Sequence, residues 1–303
     1  MWNKILDASI FFSFDLSGYK RHSKNFDKQM SFAEDSAALI TGGTSGIGLA
    51  AARYLAKKNA HVTITGRSID KGEKAAAKEK GLSFVQLDMA DWSEIKEFVK
   101  HENCFDYVVL NAGGMTDAFK VNSFGVETDF ATQLFGHYFL IKELKKQNRL
   151  KTGAKIVWVS SGGMYLKSLN LEAIFKNPDF DKVSNYANVK RAQVTLIEKL
   201  KGEWGECKVF AMHPGWVKTP GVDDAIPDFA KKMQGRLRTP LQGADTILWL
   251  LSSESNSTAE SGKFYFDRRT VKKHFFFFTR KSDRKAEELW LLLEKYWSKV
   301  SHA

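Results

Sequence analysis

The sequence predicts an α/β fold, a Rossmann-type doubly wound parallel sheet of about seven strands flanked by helices. Short apolar runs at 37–41, 61–65, 83–87, 105–111, 154–160, 206–212 and 263–267 alternate with longer helical patterns. The first run passes through a glycine cluster straight into a helix. No Pro- or Ser-rich linker and no internal repeat divides the 303 residues, a length that can bury one large core.

Ala37-Ala38-Leu39-Ile40 reads as a buried strand, and Thr41-Gly42-Gly43-Thr44-Ser45-Gly46-Ile47-Gly48 as the turn into a helix near 46–58. Such a turn aims unpaired backbone N–H groups and the positive end of the helix dipole at one point, which suits a pyrophosphate. His61-Val62-Thr63-Ile64-Thr65 closes a βαβ unit around it. A dinucleotide is therefore expected on Thr41, Gly42, Thr44, Ser45, Gly46, Ile47 and Gly48; the plainer reading is a packing turn without phosphate. Parallel strands need helical crossovers, and patterns near 69–80, 92–101, 124–147, 183–202 and 241–251 supply them.

Composition narrows the class. The net charge of +11 is spread along the whole chain instead of gathering on one helix, so nucleic acid is not expected as a partner. Cys104 and Cys207 form neither a disulfide framework nor a zinc spacing, and the histidines form no metal motif. A reducing intracellular compartment follows, cytoplasmic or at a mitochondrial or other membrane periphery, and not secretion. No apolar run is long enough to span a bilayer.

Tyr186-Ala187-Asn188-Val189-Lys190 places a phenol and an ammonium four residues apart on one helix face. A cation there favours phenolate, drawing a pKa down from about 10 toward that of a working acid/base. Ser160-Ser161 ends the Ile156-Val157-Trp158-Val159 strand, so the Ser161 hydroxyl falls where ligands of open α/β sheets collect. Any long helix can carry Tyr and Lys four apart, and Ser-Ser often only ends a strand.

Taken in order, the glycine turn, Asn111-Ala112-Gly113, Ser161 and Tyr186–Lys190 resemble the short-chain dehydrogenase/reductase family over about residues 37–270. The resemblance implies a nicotinamide enzyme in which Tyr186 moves a proton, Ser161 orients the substrate oxygen, and Lys190 holds the nicotinamide ribose. It also implies cofactor contacts at Asn111, Ala112, Gly113, Pro214, Gly215 and Thr219, with Asp88 at the adenine. The second strand ends in Thr65-Gly66-Arg67-Ser68 with no acidic residue for the ribose hydroxyls, and Arg67 suits a 2′-phosphate, so NADP(H) is expected. One departure stands on the central helix. Gln133 occupies the place of the family asparagine, which holds a proton-relaying water, and one extra methylene shifts the amide by about a bond length.

Three regions are expected: an amphipathic and basic extension over 1–35, the Rossmann domain over 36–270, and an extension over 271–303 carrying an amphipathic helix. In the first, Trp2, Ile5, Leu6 and Phe12 share a helical face ahead of Lys20, Arg21, Lys24 and Lys28, while Asp7 and Asp15 make a poor presequence. In the last, Leu289, Leu292, Leu293, Tyr296 and Val300 form a face behind Phe275–Phe278. Each extension either packs on its own domain or meets a membrane or protein partner. Val222, Ala225, Ile226, Phe229 and Met233 form a flap suited to an apolar ligand. The reading is an NADP(H)-dependent oxidoreductase acting between carbonyl and alcohol on a small lipophilic substrate. The competing reading is a weak or inactive accessory subunit of a larger, mitochondrial membrane assembly that keeps the fold and the nucleotide.

Overall fold

The structure, a computed structural model, describes residues 10–27, 29–101 and 103–301. Trp2, Ile5, Leu6, Asp7 and Lys28 lie outside the described residues. Seven strands run parallel: β1 (Ala37–Thr41), β2 (His61–Gly66), β3 (Leu82–Gln86), β4 (Phe105–Leu110), β5 (Leu150–Val159), β6 (Lys208–Met212) and β7 (Phe264–Phe266). An eighth, β8 (Arg269–Thr270), is antiparallel, and the order is β3-β2-β1-β4-β5-β6-β7-β8. The switch point between β1 and β4 opens the crevice in which doubly wound sheets bind ligands.

Alternation along each strand divides the core between the two faces of the sheet. Leu39, Val108, Ile156 and Val209 point to the side covered by the helices Trp92–Lys100, His137–Lys146 and Lys182–Leu200. Ala38, Ile40, Val109, Val157 and Phe210 point to the side covered by Gly46–Ala56 and Pro240–Leu251. The C-terminal helix Ala286–Ser301 buries Leu289, Leu293 and Val300 in the first layer, with the Tyr296 ring 5.4 Å from Phe135.

Two elements differ from the sequence expectation. The helix expected near 124–147 begins only at Thr128, because Asn122 folds the preceding segment by accepting from the Phe124 and Val126 N–H groups, and Glu127 caps the N–H groups of Asp129 and Phe130. It is then interrupted by a π-helical turn over Ala131–Gly136. The eighth strand was hidden because its hairpin places Asp267 and Arg268 at φ 48° and 60°, positions that glycine or asparagine normally mark. Buried ion pairs hold them there: Asp267 with Arg238 at 2.6 Å, and Arg268 with Asp245 at 2.7 Å.

Candidate functional site

At the glycine turn, close backbone contacts replace side chains. Gly42 adopts φ +64°, and a Cβ there would lie 2.7 Å from the Ala112 Cα; one on Gly48 would lie 2.6 Å from the Asn111 amide nitrogen. Asn111 uses that closeness, donating from its side chain to the carbonyls of Thr41 (3.0 Å) and Gly42 (3.1 Å). The Asn111 and Ala112 N–H groups donate to the Thr41 hydroxyl, so β1, β4 and the turn are pinned together. The Gly43 N–H donates to the Thr65 carbonyl, and Gly66 leaves room for the Thr44 methyl, which brings the turn against the end of β2.

The start of Gly46–Ala56 fits a phosphate. Its N-cap, Ser45, makes no side-chain cap bond, so the first-turn N–H groups lack the usual side-chain partner. Gly46 sits at φ +55° with the Thr219 methyl 3.1 Å from where its Cβ would be, a cradle walled by the segment after β6. Arg67 is exposed just past β2. Asp88 lies just past β3, one carboxylate oxygen accepting from the Ala90 N–H. Pro214 and Gly215 are set by Arg238, which donates to the Pro214 carbonyl and would clash with any Cβ on Gly215.

Across the cleft, β5 ends against the tyrosine helix. Ser160 donates its hydroxyl to the Lys190 carbonyl, and the Lys190 ammonium donates to the Val159 carbonyl at 2.9 Å. Ser161 caps the 3-10 turn Gly162–Leu166 through the Gly163 N–H, and its hydroxyl lies close enough to the Tyr186 phenol to lower that group's pKa. The Lys190 nitrogen lies 5.3 Å from the Tyr186 ring centre. Ser161, Tyr186 and Lys190 thus share one site, with Gln133 on the helix beside it.

The electrostatics correct one expectation. Burial pushes the Tyr186 phenol up to about 12, outweighing the Ser161 hydroxyl that lowers it, with the Asp129 charge raising it further. Burial also pulls Lys190 down to about 7, the Asp129 charge working the other way. The ammonium therefore does not draw Tyr186 toward neutral pH, because desolvation dominates both groups.

Gln133 is fully buried in the π turn. The turn frees its main-chain carbonyl, which accepts from the Gln193 amide (2.8 Å), the Trp158 indole (3.2 Å) and His137 Nδ1 (3.0 Å). Since a carbonyl cannot donate, Nδ1 carries the proton and Nε2 accepts from the Thr41 hydroxyl at 2.9 Å. Burial pulls His137 down to about 3, so the ring is neutral. The Gln133 side chain donates to the Gly114 carbonyl at 2.8 Å and leaves Oε1 buried without a partner.

Several residues here escaped the sequence reading. Asp129, one helical turn before Gln133, is buried with its carboxylate accepting from Thr116 and Asn185; burial, then the Glu127 charge, raises it to about 6. His137, Trp158 and Gln193 converge only through the fold. Phe14 lies under the Ser161 loop, its ring 4.4 Å from His213 and 2.3 Å from where a Gly162 Cβ would be. The helix Leu16–His22 is fastened by Arg238, which donates to the carbonyls of Ser13, Phe14 and Asp15. In the flap, Phe229 packs edge-on against Trp216 at 5.4 Å and Met233 is buried. Among the described residues there is no metal-binding cluster of His, Cys, Asp and Glu, and no helix long and apolar enough to cross a membrane.

Residues 36–228 match the short chain dehydrogenase family. The chain belongs to that family. Within it, the chain is 34% identical to human dehydrogenase/reductase SDR family member 12 over 285 residues, covering 90% of each. It is 27% identical to human polyprenol dehydrogenase, covering 79% of each. A solved structure of a Mycobacterium paratuberculosis protein superposes with a TM-score of 0.72 at 24% identity, covering 89% of this chain and 96% of that one, a likeness of fold. Membership in the short-chain dehydrogenases makes the protein an oxidoreductase of a group that uses a nicotinamide dinucleotide.

Proposed function

We propose that the protein is an NADP(H)-dependent oxidoreductase that interconverts a carbonyl and an alcohol on a lipophilic substrate. The observation that carries this reading is the meeting of Ser161, Tyr186 and Lys190 at the carboxyl end of β5, opposite the uncapped helix start behind the glycine turn. NADP(H) would rest its pyrophosphate on the turn from Gly42 to Gly48, its 2′-phosphate on Arg67, its adenine by Asp88, and its nicotinamide end among Asn111–Gly113, Pro214–Gly215 and Thr219. When bound, that group supplies or accepts the hydride.

The remaining work falls to the chain. Ser161 donates to the substrate oxygen and fixes its angle. Tyr186 gives its phenolic proton to that oxygen in reduction and takes it back in oxidation. Because burial holds the phenol near 12, the protonated form that reduction needs is the resting one at neutral pH. Lys190, tied to β5 through Val159, sits beside the ring to stabilise the phenolate as it forms. Arg67 supports NADP(H) because it is exposed directly after β2 and no acidic residue follows that strand. The likeness to a polyprenol dehydrogenase and the apolar flap around Phe229 and Trp216 support a lipophilic substrate.

The test is NADPH oxidation by the full chain across a panel of aldehydes and ketones that includes retinal and long-chain aldehydes. Turnover favouring the long apolar carbonyls is expected. A folded protein that binds NADPH yet turns over none of them would overturn the reading in favour of an accessory subunit.

A further inference from the structure

The segment Phe275–Phe278 is built inside out. Its four phenylalanines are exposed, Phe277 at 82%, while the hydroxyl residues Thr279 and Ser282 of the same stretch are buried. The inversion is fixed by hydrogen bonds. Thr279 donates to the Phe276 carbonyl at 2.7 Å, Ser168 donates to the Phe278 carbonyl at 2.7 Å, and Ser282 accepts from the Leu169 N–H at 2.9 Å. Arg191, next to Lys190 on the tyrosine helix, donates to the Lys273 carbonyl at 2.9 Å. A chain that spends its polar groups inward and holds four aromatic rings outward presents a surface matched to an apolar medium.

Two further observations say which medium. Residues 272–285 carry six lysines and arginines against one acid, Asp283, which is already engaged by Lys273 and His274. Lys272, Arg280, Lys281 and Arg284 are exposed around the rings. Rings framed by cations fit the boundary between acyl chains and anionic headgroups. The patch also continues toward the site: Phe275 stacks on Tyr165 at 3.9 Å, and Leu166, 65% exposed, ends the turn that Ser161 caps.

We infer that Phe275–Phe278 and Leu166, flanked by Lys272, Arg280, Lys281 and Arg284, dock the protein onto an anionic lipid surface with the Ser161 loop facing the bilayer. The rings enter the interface, the cations pair with lipid phosphates, and the cleft opens where a lipophilic substrate is dissolved. This docking is independent of whether Tyr186 turns a substrate over.

The experiment is co-sedimentation of the full chain with vesicles of phosphatidylcholine alone or mixed with phosphatidylglycerol. Binding to the mixture is expected, weakened about tenfold by Phe277→Ser with Phe278→Ser, and again by Lys281→Glu with Arg284→Glu, with thermal melting unchanged. Phe277→Ser alone, at the most exposed ring, serves if the double variant melts early. Failure to bind the mixture, binding indifferent to the phenylalanine changes, or binding lost only on deleting residues 1–9 would each overturn the inference. So would a dimer seen by light scattering that Phe277→Ser dissociates, because the patch would then be an interface between copies of this chain.

Discussion

The side-chain oxygen of Gln133 lies 2.6 Å from the point where a Cβ on Gly113 would stand. The longer amide therefore fits its buried turn only because position 113 has no side chain, and its Nε2 is anchored on the next carbonyl, Gly114. Gly113→Ala is expected to displace Gln133 and cost about 1–3 kcal/mol by overpacking. Gln133→Asn, shorter by one methylene, is expected to restore most of that loss when combined with it. Urea unfolding of the two single variants and the double one measures the coupling, and strictly additive costs would show that the two residues do not share this space.

Arg67 is expected to set cofactor choice. Removing a charge-assisted bidentate partner of a phosphate forfeits about 1.5–3 kcal/mol, or about 10- to 100-fold in affinity. Arg67→Asp should weaken NADPH by that factor and improve NADH, since a carboxylate there repels the 2′-phosphate and accepts from ribose hydroxyls. Titration of both dinucleotides by fluorescence decides it; an unchanged NADPH affinity would remove Arg67 from the site.

Stability is expected to fall in acid through two buried imidazoles. His213 stacks on Phe266 at 4.1 Å and burial pulls it from 6.5 to about 3; His137 is shifted in the same direction. Between these values the unfolded chain binds protons that the folded chain refuses, so stability present at neutral pH is lost as pH falls below 6.5. His213→Phe should flatten that slope. Urea midpoints at neutral pH and at about pH 5 measure it, and a slope equal to that of the unsubstituted chain would place the acid sensitivity elsewhere.

The hub that fastens the N-terminal helix is Arg238, whose guanidinium meets Asp267 as well as the carbonyls of Ser13, Phe14 and Pro214. Arg238→Met should cost about 3–5 kcal/mol, because Asp267 and several carbonyls stay buried without their donor. Limited proteolysis should then cut near residues 13–22 before the rest of the chain. Resistance equal to the parent would mean that the Phe14 packing, the Asp15–Arg236 pair and the His22–Asp267 contact hold the helix without Arg238.

Local patterns carried most of the fold into the sequence: the β1 run, the glycines after it and the Tyr186–Lys190 spacing are each contained within a few residues. Hidden features depend on distant partners. Nothing around Asp267 and Arg268 marks a hairpin, because their left-handed backbone is held by Arg238, His22 and Asp245 instead of by glycine. The π turn at Ala131–Gly136 follows no local signal either; its freed carbonyl is claimed by Trp158 and Gln193 from two other elements. The acidity of Tyr186 is hidden for the same reason, since spacing reveals the neighbouring cation but not the desolvation that outweighs it.

The most direct measurement is NADPH oxidation by the parent chain and Tyr186→Phe on a long-chain aldehyde, with NADPH binding determined on the same samples. The account predicts turnover by the parent, a loss of about a hundredfold or more in the variant, and equal NADPH affinity in both. Equal turnover in the two chains, or none in either despite bound NADPH, would contradict it.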